Sequence, residues 1–359
     1  GLKKAVSLRI GAHKDKLWGL DNWSRCPEIT IDTPIDEATV KLTNPFGGPI
    51  YIDVPSDCPV KKFDATIAGA VEAPYYVLGQ TTSDEWKAMR DRPAPWSELQ
   101  GEKVILTVPS EVVRTLDDPE AVMKFWDKVM DACAELVKLP PERESPERYV
   151  ADRQISAGYM HSGYPIMTGL DVRERFVDIE HLKSGNWGFF HEIGHNHQSG
   201  LWTFDGTGEV TVNLFTLFVY DKVCGIPIAD ARSVLRDPER GKKLDAFFTA
   251  GPDFEKWKQD PFLALLMYVQ MQEAFGWQPF QEVFAEYRDI PRSDQPRTDQ
   301  QKRDEWLVRF SRRVGKNLGP FFEVWGVPTS ESARQSIAGL PRWMPAEMEK
   351  YVKAAVPAE

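Results

Sequence analysis

The spacing of hydrophobic positions divides the chain into a strand-like front and a helical rear. Up to about residue 108, short alternating or β-branched runs lie between clusters of Pro, Gly, Asn and Asp. This pattern is typical of strands joined by turns. The clearest runs predict strands over residues 28–31, 38–42 and 49–54. We therefore expect residues 1–108 to form a β-rich, β-sandwich-like N-terminal subdomain.

Helical periodicity dominates the remainder of the chain, residues 109–359. Apolar residues recur every three or four positions after a capped start near Pro119. The pattern becomes extended again over residues 155–170 and then returns to helical spacing. Further helices are predicted around residue 191, from residue 209, and over residues 262–275, 279–287 and 298–314. The predicted fold class is α+β, with a mainly helical second subdomain over residues 109–359.

Composition and charge remove several classes of function. Of the 359 residues, 42% are hydrophobic, which is enough for a sizeable core. The net charge is −10, and no Lys/Arg block is interleaved with aromatic residues, so we expect no nucleic-acid partner. No run approaches the roughly 18 apolar residues needed to cross a bilayer, so we predict no transmembrane segment. Residues 1–5 contain no apolar core of a signal peptide, and this observation leaves the cellular location open.

The four cysteines give little information about chemistry or compartment. They are spread too widely along the chain for a CxxC metal pair. Cys26 and Cys58 each precede a proline in strand-like sequence, so a disulfide between them and a set of free thiols are both open.

The chemically informative segment is an HExxH motif formed by His191, Glu192 and His195. On a helix the two histidines lie one turn apart on one face, so both imidazoles reach a single Zn²⁺. Glu192 then lies beside the open metal position. There it would take a proton from the attacking water and later deliver it to the leaving amine. Three of the six histidines fall within residues 191–197, which favours a metal site over a helix with buried, satisfied histidines.

A third protein ligand is needed, and two carboxylates compete for the role. The metzincin pattern is excluded because Gln198 and Leu201 stand where it requires glycine and histidine. Asp205 lies in a glycine-rich loop, whereas Glu209 opens the next predicted helix. A carboxylate on a helix is the stiffer ligand, so we favour Glu209 for a site with one Zn²⁺ per chain.

Several other residues are candidates for supporting roles, each with packing or solvation as the alternative. Asn213 and Asn196 are candidates for hydrogen bonds around the metal ligands. His161 and Tyr164 lie in the extended segment before the metal helix, where an edge strand would pair with a peptide and a side chain would stabilise an oxyanion. Trp202 lies near the site in sequence and is a candidate for stacking on a sugar ring.

These residues resemble the M60-like, or enhancin-like, zinc metallopeptidases, whose pattern is HExxH followed at a variable distance by glutamate. The resemblance extends over nearly the whole chain. It includes the turn over residues 44–48, the segment over residues 158–166 and the Trp-Gly pair at residues 325–326. It implies a gluzincin-type zincin catalytic subdomain behind a β-sandwich front, with the metal on His191, His195 and Glu209.

The resemblance also implies a function. Members are secreted or cell-surface enzymes that cleave mucins and other O-glycosylated proteins, so a glycoprotein substrate is expected. The segment after Gly158 has no acidic residue to hold a substrate amine, which favours an endopeptidase. The alternative is a glycan- or protein-binding module that retains the peptidase fold. A structural zinc site is disfavoured because the motif leaves one metal position open. The oligomeric state stays open, with a monomer compatible with the sequence.

Overall fold

The computed structural model describes residues 6–56, 58–59 and 62–355. Residues 1–5, in which the sequence shows no signal-like core, lie outside this range. Contacts between residues group the chain into two units, Gly1–Lys128 with Arg143–Leu182, and Val129–Glu142 with Lys183–Glu359. The subdomain boundary at residues 108 and 109 stays a prediction. In the described part of the chain, no helix is both long enough and apolar enough to cross a membrane.

Within the described part of the chain, the strands all belong to the first unit. Those within the described residues are β1 (Ser7–Ile10), β2 (Ile31–Pro34), β3 (Ile50–Asp53), β4 (Tyr75–Val77), β5 (Trp96–Gln100), β6 (Val104–Pro109), β7 (Glu147–Asp152), β8 (Met160–His161) and β9 (Ile166–Gly169).

Two sheets arrange these strands. The first is antiparallel, in the order β2-β1-β3, with Leu8 opposite both Thr33 and Ile52. The second is mixed, in the order β4-β5-β6-β7-β9-β8. Strand β6 lies inside this sheet, and five of its six residues are buried, which explains its nearly continuous apolar sequence. Trp126 packs on this unit's core: its ring centre lies 5.1 Å from that of Tyr149, and its indole donates to the carbonyl of Phe176.

The helices follow the predicted spacing. Those within the described residues are α1 (Ser83–Met89), α2 (Ser110–Val113), α3 (Pro119–Leu136), α4 (Ile179–Lys183), α5 (Trp187–His197), α6 (Gly208–Val219), α7 (Ile228–Ala231), α8 (Glu239–Thr249), α9 (Phe254–Gln259), α10 (Pro261–Phe275), α11 (Gln278–Arg288), α12 (Asp299–Val314), α13 (Gly319–Val324), α14 (Glu331–Ser336) and α15 (Glu349–Ala355).

Helix α10 shows how local sequence sets an element of the second unit. The Asp260 carboxylate caps the start by accepting from the amide of Leu263 at 3.0 Å, and Pro261 follows where its missing N–H is not needed. Every residue from Leu263 to Met271 is buried, so the helix is apolar on all sides.

The α+β prediction is confirmed, with one wrong strand. Residues 38–42 form no strand in the structure. Apolar and polar residues do alternate in this segment. None of the five side chains is buried, however, so the apolar positions do not face a core. The strand predicted over residues 28–31 begins instead at Ile31, and the one predicted over 49–54 forms as Ile50–Asp53.

Candidate metal centre

Helix α5 presents the two motif histidines from a well-anchored start. The Asn186 side chain caps the helix by accepting from the amide of Phe189 at 3.0 Å. Phe189, Phe190 and Ile193 are fully buried and fix one side of the helix in the core. His191 and His195 lie on the partly exposed side, with ring centres 4.6 Å apart.

Helix α6 brings Glu209 to the same place. Its approach to α5 is close at Gly194, where an added Cβ would lie 2.9 Å from a methyl carbon of Val212 and 3.1 Å from the Cβ of Phe215. The absence of a side chain at Gly194 therefore lets the two helices pack tightly. Glu209 lies in the first turn of α6, so its carboxylate reaches the two imidazoles.

The ligand atoms of these three residues converge. One ligand atom from each of His191, His195 and Glu209 can be chosen so that all lie within 4.8 Å of one another. The two Nε2 atoms are 3.1 Å apart, and the carboxylate oxygens lie 3.0 Å from Nε2 of His191 and 3.6 Å from Nε2 of His195. Two ligands each about 2.1 Å from a tetrahedral ion are about 3.4 Å apart. The cluster therefore fits a zinc ion.

Amide side chains hold the outer nitrogen of both imidazoles. Nδ1 of His191 lies 2.8 Å from Oδ1 of Asn213, and Nδ1 of His195 lies 3.1 Å from Oε1 of Gln198. Because an amide oxygen only accepts, each Nδ1 carries the hydrogen and each Nε2 keeps a lone pair for a metal.

Those amides are themselves fixed by donated hydrogen bonds. The Asn213 side-chain N–H₂ donates to the carbonyl of Glu209 at 2.7 Å. The Gln198 N–H₂ donates to the carbonyl of Gly208 at 2.9 Å and to the Thr211 hydroxyl at 2.6 Å. Sequence reasoning included Asn213 but missed Gln198. Gln198 lies three residues after His195, just past the end of the helix. That position could have identified it as a hydrogen-bond partner of His195.

The charges of the cluster shift the pKa values of two members. When the imidazoles of His191 and His195 carry a second proton, on Nε2, their hydrogen bonds to Glu209 hold the pKa of this carboxyl well below its usual range. For His195, burial favours the neutral ring, but the hydrogen bond to Glu209 and the nearby Glu192 carboxylate outweigh it, and the pKa is raised. Glu192 is buried, with 8% of its surface exposed.

The remaining candidates lie in varied surroundings. Asp205 is exposed and forms an ion pair with Lys258 at 2.5 Å, outside the three-residue cluster. Asn196 is exposed on α5. Trp202 is 3% exposed, and its ring centre lies 4.6 Å from that of Phe284, so its ring packs in the core and is not available to a sugar.

Two candidates belong to the first unit. His161 lies in the edge strand β8, with Nε2 3.3 Å from the Ser156 hydroxyl and 3.4 Å from an oxygen of Asp15. Tyr164 is 64% exposed. Their roles towards a substrate stay predictions.

All four cysteines are free thiols, so no disulfide bond joins Cys26 to Cys58.

A helix with two histidines one turn apart, and a glutamate from the following helix, is the arrangement of the gluzincin-type metallopeptidase fold. Residues 69–326 match the family model described as peptidase M60, enhancin and enhancin-like, and residues 2–68 match the N-terminal domain of M60-like peptidases. The chain belongs to this M60, enhancin-like family.

The chain is also similar to individual known proteins. TRPM8 channel-associated factor 2 of Bos taurus is 42% identical over 350 residues, which cover 97% of this chain and 38% of the relative. The chain thus spans well under half of that relative's length. A conserved protein of unknown function from Bacillus anthracis superposes with a TM-score of 0.74 at 24% identity, over 96% of this chain and 70% of that one. IMPa from Pseudomonas aeruginosa, in complex with an O-glycopeptide, gives a TM-score of 0.62 at 16% identity, over 94% and 47%.

Proposed function

We propose that this chain is a zinc-dependent endopeptidase that cleaves peptide bonds in O-glycosylated, mucin-like proteins. The observation that carries the proposal is the convergence of His191, His195 and Glu209 with both imidazole Nδ1 atoms already engaged. Such pre-orientation serves a metal, and three protein ligands leave a position open for chemistry. Family membership and the O-glycopeptide bound to IMPa support the substrate class.

In this mechanism the chain's own residues position the ion and move one proton. His191 and His195 would hold zinc through Nε2, and Glu209 would hold it through its carboxylate. When bound, zinc would supply Lewis acidity for the scissile carbonyl and for water. The Glu192 carboxylate accepts a proton from the attacking water and donates it to the departing amine. Glycoprotein substrates of this kind lie outside cells or on their surfaces, so we propose that location for the reaction.

The test of this function is cleavage of a matched pair of peptides. One carries a single N-acetylgalactosamine on a threonine, and the other is the same peptide without sugar. We expect the wild-type, zinc-loaded chain to cleave the glycopeptide and Glu192→Gln to be slower by about 10²–10⁴-fold with unchanged zinc content. Glu331→Gln, which changes an exposed glutamate of α14, is the matched control and should behave as wild type.

A second candidate function is recognition of a protein partner without cleavage. It is favoured by the name of the bovine relative, a TRPM8 channel-associated factor. Under this alternative, neither wild type nor Glu192→Gln would cleave the glycopeptides. Both proteins would bind the glycopeptides, or a membrane-protein partner, with equal affinity. That result would reject the peptidase proposal.

A further inference from the structure

Arg232 lies over two aromatic rings near the start of the metal helix. The residue follows α7 and is exposed. Its guanidinium carbon is 4.8 Å from the ring centre of Trp187 and 4.3 Å from that of Phe262. The two rings are themselves 5.6 Å apart. Cation–π attraction from two faces therefore fixes the position of this guanidinium.

Among the residues that the structure describes, no carboxylate forms an ion pair or hydrogen bond with the Arg232 side chain. The Tyr220 hydroxyl is a titratable group that responds to the charge of Arg232. Burial raises the pKa of Tyr220 to about 12 although Arg232 opposes the rise, so this phenol is neutral at physiological pH. Arg236, four residues later, differs because Asp230 pairs with it.

The position of Trp187 relates this cation to the metal centre. Trp187 is the first residue of α5, four residues before His191 and eight before His195. Each four-residue step turns the helix by only about 40° and advances it by about 6 Å. Trp187 therefore continues the face that carries the two histidines. The helical rise from Trp187 to the histidines is added to the 4.8 Å between the Trp187 ring and the Arg232 guanidinium. The guanidinium therefore lies roughly 10–15 Å from the histidine cluster.

That separation corresponds to a few residues of an extended peptide. An extended chain advances about 3.3–3.6 Å per residue, so 10–15 Å is about three to four residues. The Arg232 guanidinium is planar, permanently charged and fixed in position. It can therefore bind one substrate carboxylate at that distance by donating two parallel hydrogen bonds to it.

We propose that Arg232, held over Trp187 and Phe262, is a specificity site that binds a carboxylate of the substrate three or four residues from the cleaved bond. The carboxylate belongs either to an acidic amino acid or to an acidic sugar of the attached glycan. This inference rests on the proposed peptidase function. Packing of the arginine stem over the two rings is the competing explanation, and it predicts no dependence on substrate charge.

The experiment compares substrates that differ only in negative charge. The first pair consists of O-glycopeptides with the same neutral sugar and Glu or Gln at the third and fourth positions on either side of the cleaved bond. The second pair carries an acidic or a neutral glycan on one unchanged peptide. We measure kcat/KM for zinc-loaded wild type, Arg232→Gln, Arg232→Lys and the control Arg236→Gln.

We expect wild type and Arg236→Gln to prefer the acidic member of at least one pair by about tenfold, chiefly through KM. Arg232→Gln should cleave both members of each pair at equal rates, and Arg232→Lys should keep part of the preference. The preference should shrink in high salt because the site is exposed. The pair that shows the effect identifies whether the carboxylate comes from the peptide or the glycan.

Equal rates on every pair by wild type, or a preference that survives in Arg232→Gln, would overturn the assignment. Should wild type cleave none of these peptides, the peptidase proposal fails separately. The carboxylate site is then decided by the dissociation constants of the same pairs for Glu192→Gln, with and without Arg232→Gln. An equal loss of affinity for acidic and neutral peptides would show that Arg232 only packs.

Discussion

At the scale of single residues, the metal centre depends as much on amides as on ligands. Each histidine is held at Nδ1 by an amide oxygen, and each amide N–H₂ donates to an acceptor in the first turn of α6. Histidine orientation is therefore fixed by the neighbouring helix. The HExxH spacing predicted which residues converge, but hydrogen-bond partners depend on which side chains meet across two helices. A pattern along one helix does not contain that information.

Replacing Gln198 with Ala should weaken zinc binding without unfolding the chain. The variant removes the acceptor for the His195 N–H, so the ring loses its fixed tautomer and orientation. Losses of this kind typically weaken metal affinity by about 10–100-fold. Competition with a chelating dye measures the effect.

Asp205→Asn is the informative comparison for that measurement. Asp205 pairs with Lys258 outside the cluster, so its variant should retain the wild-type zinc affinity while Glu209→Gln loses it. Zinc loss in Asp205→Asn with retention in Glu209→Gln would reverse our choice of third ligand.

At the scale of elements, the contact between α5 and α6 sets the distance from the histidines to Glu209. The contact is closest at Gly194, one of the two unspecified positions of the motif. Sequence alone predicted both helices and their order. It did not predict that this glycine is needed for their approach, because the crowding atoms belong to Val212 and Phe215 of the partner helix.

Gly194→Ala should separate the two helices and weaken the metal site. An extra Cβ at this position meets Val212 and Phe215 at distances that require one helix to move. Overpacking of a tight interface typically costs about 1–3 kcal/mol, although alanine's higher helix propensity offsets part of this. Urea denaturation and zinc titration measure the two effects. Gly208→Ala, where an added Cβ meets nothing within 4 Å, is the control. Equal stability and zinc affinity in both variants would contradict this explanation.

At the scale of the whole molecule, hydrophobic pattern predicted the class of fold and the order of strands and helices, but not long-range polar contacts. Residues 38–42 show the limit, since alternation alone did not reveal whether a partner strand exists. The buried group around Asp152 shows it again. This carboxylate lies 2.9 Å from Nε2 of His13 and 2.5 Å from Nε of Arg25, more than a hundred residues away in sequence. No local spacing rule pairs such groups.

Asp152 should contribute to stability at neutral pH and lose that contribution in acid. Burial alone would raise its pKa, but the hydrogen bond to His13 and the charge of Arg25 outweigh burial and lower it. A folded-state pKa below the unfolded value stabilises the protein above about pH 4, and the contribution disappears as pH falls through the folded-state value.

Asp152→Asn should therefore be destabilised at pH 7 by about 3 kcal/mol, the typical cost of breaking a buried ion pair. The difference from wild type should shrink below pH 4. Urea midpoints at pH 7 and pH 3 measure it, and Asp117→Asn, which alters an exposed partner of Arg90, provides a control. A difference that stays constant between the two pH values would contradict the linkage.

The placement of the three predicted ligands on adjacent helices also bears on how the centre assembles. His195 follows His191 by four residues, and Glu209 follows His195 by fourteen, so the ligands come from one helical hairpin. Short loops close at low entropic cost, and local contacts form faster than distant ones. We therefore expect the α5–α6 hairpin to bring its donors together early in folding, before the parallel strand pairings of the mixed sheet are complete.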